Sequence, residues 1–125
     1  MIFRLKAFER RLVDMSAKYQ IFRSDRSAEY YFRLKAGNGE IILQSEGYQN
    51  KTGAQNGVGS VRQHSPDDRF YDRKTSTNGS PYFALKASNG QIIGVSQMYS
   101  SAGARDAGIS SVKTNGPSAP EEDLT

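Results

Sequence analysis

From about residue 17 onward, apolar and polar positions alternate in short runs separated by glycine-containing turns, a pattern that predicts strands rather than long helices. Tyr30–Ala36 (YYFRLKA) alternates cleanly and reads as a strand with one buried face. Asn38-Gly39 follows it and predicts a two-residue type I′ hairpin turn, which needs positive φ at both central residues. Ile41–Glu46 is the returning strand. Tyr82–Ala87, Asn89-Gly90 and Ile92–Gln97 repeat the arrangement, and Pro81 begins its strand where a missing N–H is tolerated. Tyr19–Arg23 and Phe70–Lys74 are further short strand candidates, turned by Ser24–Ala28 and Asn78-Gly79. After each hairpin comes a stretch of small residues, Asn50–Asn56 and Ser100–Ala107, that predicts a short helix. Ser100 or Ser101, and Thr52, are candidate caps. Gly57 and Gly108 then suit left-handed helix stops, and Val58–Gln63 and Ile109–Thr114 are expected as short strands.

These elements belong to an internal repeat. Tyr31–Pro66 and Tyr82–Pro117 align without a gap at an offset of about 51 residues, with about 15 of 36 positions identical. A unit of about 50 residues buries too little apolar surface to be comfortably stable alone. Two units sharing one core remove that difficulty, so residues 16–125 read as one domain. Repeat one is about 17–66, repeat two about 67–117, and the tail 118–125. The tail echoes the end of the first unit: Ala119-Pro120-Glu121-Glu122-Asp123-Leu124 resembles Ser65-Pro66-Asp67-Asp68-Arg69-Phe70. A docked tail would put Leu124 in the place of Phe70; the alternative is a frayed acidic end. Residues 1–15 read as a mobile N-terminal extension, and Phe3–Ala7 in it matches Phe32–Ala36.

Composition narrows the chemistry. The chain carries no cysteine, which excludes disulfides, thiol catalysis and thiolate zinc sites. His64 is its single histidine. The net charge of +4 is mild and permits, without requiring, attraction to anionic partners. No apolar run approaches membrane-spanning length, and residues 1–14 lack the apolar core of a signal peptide. The expectation is a soluble cytoplasmic protein without cofactor or membrane partner.

LKAGNGEII, Tyr48 and GVGSV, followed by LKASNGQII, Tyr99 and GISSV, resemble the YegP-like family of small bacterial proteins over about residues 16–125. The resemblance implies an α+β fold of two tandem β-β-β-α-β units. They would form one antiparallel sheet with both helices on one face and exchanged C-terminal strands. Single-unit relatives do this as homodimers; a tandem chain would do it as a monomer with an internal pseudo-two-fold. Residues 1–14 fall outside the pattern, and Gly59 stands where the second copy has Ser110. The family has no assigned activity, so no catalytic residue carries over.

The expected hairpin register sorts the sheet into two faces. Ala36, Ile41, Leu34, Leu43, Phe32 and Ser45 share the face under the helices. Lys35, Ile42, Arg33, Gln44, Tyr31 and Glu46 share the other, with Lys86, Ile93, Ala84, Val95, Tyr82 and Gln97 in copy two. Two helices leave that second face open to water. Its candidate binding surface is Tyr31, Arg33, Lys35, Tyr82 and Lys86, serving a protein partner or, alternatively, weak single-stranded nucleic-acid binding by base stacking and phosphate contacts. Catalytic candidates are few. His64 beside Asp67 and Asp68 lacks a second imidazole or a thiol to complete a metal site and reads as an exposed loop residue. Ser60 and Ser111 recur without a partnered base and read as bonding nearby backbone. Tyr48 and Tyr99 read as covering the core edge with hydroxyls reaching water or backbone. No enzyme activity is expected.

Overall fold

The computed structural model describes residues 16–125, so the expected N-terminal extension lies outside the described residues. Its strands are β1 (Lys18–Arg23), β2 (Tyr30–Lys35), β3 (Ile41–Gln44), β4 (Tyr71–Thr75), β5 (Pro81–Lys86), β6 (Ile92–Val95) and β7 (Glu121–Asp123). Two helices, α1 (Lys51–His64) and α2 (Ala102–Asn115), each follow a three-stranded unit. All strands join one sheet in the order β4-β5-β6-β3-β2-β1-β7. The two units are thus mirrored about a β3–β6 seam, where Gln44 opposite Val95 is the single paired position. The tail docks: β7 pairs in parallel with β1, Tyr19 opposite Glu121 and Ile21 opposite Asp123. The last strand of the second unit therefore completes the edge of the first, while Leu124 beyond it stays 50% exposed. At the other edge the chain leaves α1 through a 3-10 turn, Asp68–Phe70, and runs straight into β4. There the Tyr71 N–H donates to the Asp68 carbonyl, as the Tyr19 N–H donates to Pro120 at 2.8 Å in the first unit.

The hairpins form, but with a longer loop than expected. Ala36 N–H donates to Glu40 O and Gly39 N–H to Ala36 O, which closes a three-residue loop: a type I turn whose last residue is left-handed. Only the glycine takes positive φ, at 87° in Gly39, Gly79 and Gly90 alike. The extra loop residue shifts the pairing by one, so Lys35 faces Ile41. A bulge at the next step restores Leu34 opposite Leu43. Ile42 and Ile93, expected on the open face, turn into the core instead, at 3% and 5% exposure.

The segments expected as strands after Gly57 and Gly108 are helical. Val58–Gln63 continues α1 and Ile109–Thr114 continues α2, and the two glycines sit in mid-helix. β-branched residues favour strands only weakly, and here tertiary packing overrides them. Ala54, Val58 and Val61 fall on one helical stripe, as do Ile109 and Val112, and that stripe is buried on the sheet. The caps are Asn50, whose side chain accepts from the Gly53 N–H at 2.8 Å, and Ser101, which accepts from Ala104 at 3.0 Å. Thr52 lies inside the helix. Asn50→Ala is expected to cost about 1 kcal/mol in urea unfolding, and no measurable loss would show that the α1 start is held by packing alone. Both helices lie on the same face of the sheet and reach across the seam: α1 packs on β2 and β1 but also touches β5 and β6, and α2 packs on β5 and on β3. Phe32, Leu34, Leu43, Phe83 and Leu85 lie between the helices and the sheet. The two units share this core.

Candidate functional site on the open sheet face

Strand alternation places Tyr31, Arg33 and Lys35 outward on β2, and Tyr82 and Lys86 outward on β5. The two strands are separated by β3 and β6, which at sheet spacing is about 14 Å. The five candidate residues therefore form two patches flanking the seam, not one cluster.

The β2 patch is completed by β1. Lys18, Gln20 and Phe22 stand opposite Lys35, Arg33 and Tyr31. The Phe22 and Tyr31 rings stack at 5.7 Å and 17°. The Arg33 guanidinium lies 4.5 Å over the Phe22 ring, and its Nε donates to Gln20 Oε1 at 2.8 Å. Gln20 Nε2 donates in turn to Glu122 Oε1 at 2.7 Å, and Lys18 Nζ is 3.3 Å from the same oxygen. Those two donors, Gln20 foremost, hold the Glu122 carboxyl below its ordinary value. Phe22 and Gln20 were not among the candidates read from the sequence, although the period-2 alternation of Tyr19–Arg23 places them on this face. In the β5 patch, Tyr82 faces Lys74, and Lys86 Nζ pairs with Asp72 Oδ2 at 3.0 Å. Lys35 and Lys74 have no ion pair among the described residues.

Between the patches the seam leaves a depression of about 670 Å³, lined by Glu40, Ile41, Gln44, Glu46, Val95 and Gln97 among others. The middle of the face thus mixes two apolar side chains with carboxylates and amides, and the cations stand on either side of it.

The catalytic candidates are dispersed. His64 is buried, not exposed, at 6%. Its Nδ1 is 2.8 Å from the Ser60 carbonyl oxygen, and its Nε2 accepts from the Ser88 N–H at 3.2 Å. Phe70 packs edge-on against the ring at 4.7 Å. Both ring nitrogens are committed, and the residue fastens α1 of one unit to the β5–β6 hairpin of the other. Asp67 pairs with Arg69, and Asp68 with Arg73 and Lys113. Arg73 first and Lys113 second, by their hydrogen bonds, lower the Asp68 carboxyl to about 2. Ser60 Oγ lies 3.3 Å from His64 Nδ1, and Ser111 Oγ accepts from Asn115 Nδ2 at 3.2 Å, side-chain partners in place of the expected backbone ones. Among the described residues no group of three or more His, Cys, Asp or Glu is placed to hold a metal ion, and no helix is long and apolar enough to cross a membrane.

A seven-stranded sheet built from two β-β-β-α units, with two helices spanning its seam, defines a small α+β tandem-repeat protein. The family pattern for a domain of unknown function (DUF1508) matches the chain twice, at residues 25–72 and 76–123. The chain belongs to the YegP/UPF0339 family of small bacterial proteins of unassigned function. It is 56% identical over 97 residues to a UPF0339 protein of Bordetella pertussis, which covers 78% of this chain and 87% of that one. The solution structure of a UPF0339 protein from Shewanella oneidensis superposes with a TM-score of 0.82 at 51% identity, covering 88% of this chain and 92% of that one. The solution structure of yegP from E. coli, described as a protein of unknown function, gives 0.83 at 50% identity, covering 89% and 95%.

Proposed function

We propose that the chain is a non-catalytic binding module and that its open sheet face is the contact surface for a protein partner. The observation that carries this reading is the state of the outward cations. Lys86 and Lys18 are ion-paired, Arg33 is held by Phe22 and Gln20, and Lys35 and Lys74, without an ion pair among the described residues, stand in separate patches with Glu40 and Glu46 between them, so the face carries both signs of charge and no concentrated positive patch for a polyanion. What remains is a depression in which Ile41 and Val95 lie among Glu40, Gln44, Glu46 and Gln97, flanked by aromatics and by charges of both signs, a mixed surface of the kind protein interfaces use. The same reading takes the protein as a cytoplasmic monomer; the monomer is supported by each unit already serving as the seam partner of the other.

One observation favours weak single-stranded nucleic-acid binding as a second reading. The stacked Phe22–Tyr31 pair, with Arg33 laid on it and Lys35 nearby, is a platform on which a base can stack.

A photo-crosslinking amino acid placed at Tyr31 or at Tyr82, in living cells, tests both. The expected result is a discrete, protease-sensitive adduct from both positions and none from Gln55, which is exposed on α1. A nuclease-sensitive adduct confined to Tyr31 would transfer the assignment to nucleic acid. Equal labelling from Gln55, or none from either face position, would overturn the open-face reading.

A further inference from the structure

On the helical side, the internal two-fold relates two clefts, each formed between the helix of one unit and the hairpin of the other. The larger, about 580 Å³, brings Tyr99, Gly108 and Ser111 against Asn38, Glu40 and Ile42. The smaller, about 340 Å³, brings Tyr48, Gly57 and Ser60 against Asn89, Gln91 and Ile93. Five of these six positions are identical between the copies; Glu40 against Gln91 is the exception. They are scattered over most of each repeat, and they meet only because each hairpin leans on the opposite helix.

Folding accounts for most of the shared residues. Asn38 and Asn89 cap their own turns by accepting from the backbone two residues on. Gly57 and Gly108 make room for the tyrosines, since a Cβ at either would overlap the phenol oxygen. The tyrosine ring stacks on the core, Tyr99 on Phe83 at 6.3 Å and 12°. None of this needs the hydroxyl. Tyr99 Oη is buried and has no hydrogen-bond partner, a cost that phenylalanine would not incur. Burial raises the hydroxyl above its ordinary value. The Gln97 amide opposes that shift from close by, without reaching hydrogen-bonding geometry, and the Glu40 carboxylate adds to it. A cleft of this volume, in which Ile42 and Met98 lie beside convergent polar groups, can take a small molecule that is itself part apolar and part polar.

We propose that the larger cleft binds a small molecule carrying a protonated amine on an apolar body, with the Glu40 carboxylate accepting from the amine directly, Tyr99 Oη, which is closed to solvent in the free protein, accepting once the ring tilts toward the cleft, and Ile42 in contact with the body. The twin cleft, with Gln91 in place of the acid, takes uncharged hydrogen-bonding analogues instead. Tyr99, Gly108 and Ser111 lie on the helical side of the sheet, whereas Glu40, which accepts from Gln97 Nε2 at 3.5 Å, sits at the rim and also borders the open-face depression; the crosslinking positions Tyr31 and Tyr82 do not line this cleft, so the two tests are read separately.

The test is an NMR titration of the full chain with benzylamine and, in parallel, benzyl alcohol. Benzylamine is expected to shift the Tyr99, Ala104 and Ala107 amides saturably. Tyr99→Phe and Glu40→Gln should each weaken it about fivefold, the worth of one charge-assisted contact at a partly exposed site. Tyr99→Phe should keep or raise the unfolding temperature, because it removes an unsatisfied group. Four results would overturn the proposal. One is no saturable shift up to roughly 10 mM, where even a weak fragment registers; another is equal affinity for benzyl alcohol in the larger cleft. The third is unchanged affinity in both variants, and the last is a clear fall in unfolding temperature for Tyr99→Phe, which would make the hydroxyl structural.

Discussion

Above pH 10 the protein is expected to lose stability steeply, because two buried tyrosines hold their protons in the folded state and give them up on unfolding. Tyr19 Oη donates to the Gly116 carbonyl at 2.6 Å, across 97 residues of sequence. Tyr71 Oη donates to the Ser65 carbonyl at 2.7 Å. The two bonds are related by the internal two-fold, and each ties the end of a helix to the first strand of a unit. Burial is the main cause that raises both hydroxyls above the ordinary 10.0. For Tyr19 the Arg62 guanidinium partly opposes the rise and Glu121 adds to it; for Tyr71 both Tyr19 and Asp68 add to it. A tyrosinate at either place would face a carbonyl oxygen with no proton to share.

With folded values raised, the folded state binds more protons than the unfolded chain once pH exceeds 10. The stabilisation is complete below that point and falls as pH rises. Each tyrosine contributes a slope of up to about 1.4 kcal/mol per pH unit. Two of them past pH 11 remove an amount comparable with a large share of a small domain's total stability, about 5–15 kcal/mol. Urea unfolding from pH 8 to 12, read alongside tyrosinate absorbance, measures this. Tyr19→Phe should cost about 1–3 kcal/mol at neutral pH, since it leaves the Gly116 carbonyl unpaired, yet it should remove its own share of the alkaline slope. Stability that stays level to pH 12 would show that the two hydroxyls ionise freely in the folded state.

Gly57→Ala and Gly59→Ala are expected to move stability in opposite directions, although they lie two residues apart on the same helix. A Cβ at Gly57 would sit 2.5 Å from Tyr48 Oη and 2.7 Å from Phe32 Cε2. The Tyr48 hydroxyl is the far end of a side chain and can yield. Phe32 cannot: it is fully buried, stacked on Tyr48 at 6.4 Å and edge-on to Tyr19 at 6.3 Å. The alanine must lift α1 from the sheet, an overpacking cost of about 1–3 kcal/mol that outweighs the ~1 kcal/mol gain in helix propensity. At Gly59 nothing lies within 4 Å of the added methyl, and only the gain applies, about 0.5–1 kcal/mol. Denaturant midpoints of the two variants should therefore fall on either side of the parent. A Gly57→Ala protein more stable than the parent would mean that the helix rides further from the sheet than the structure places it.

These two glycines also mark the limit of what was legible in the chain. Gly57 looked like a helix stop because glycine often is one, and because Val58 and Val61 are strand-favouring residues. The actual reason for glycine lies in Phe32 and Tyr48, brought near by the sheet and invisible to local pattern. The same holds for His64. Its flanking Ser65-Pro66-Asp67-Asp68 reads as a polar loop, while its burial depends on Ser88 and Phe70, which the second unit brings to it. For Ile42 and Ile93 the error was one residue of loop length. A turn read as two residues where the structure has three inverts the face of the positions beyond it until a bulge restores the register. On the candidate face, Tyr31, Arg33, Lys35, Tyr82 and Lys86 were placed outward by alternation alone. That Tyr31 and Arg33 lean on Phe22 and Gln20, and that the first three stand apart from the last two, depended on the strand order.

By itself the sequence determined the repeat, the hairpins with their obligatory turn glycines, the strands that alternate, and the absence of thiol chemistry. Each is written within a few consecutive residues or in their repetition. The tertiary structure alone decided that GVGSV and GISSV are helical, which side Ile42 takes, where His64 goes, and that Tyr, Gly, Ser and Asn from two units meet around paired clefts. Those outcomes depend on contacts between residues tens of positions apart. Hydrophobic burial across the seam can there outweigh local preferences of a few tenths of a kcal/mol.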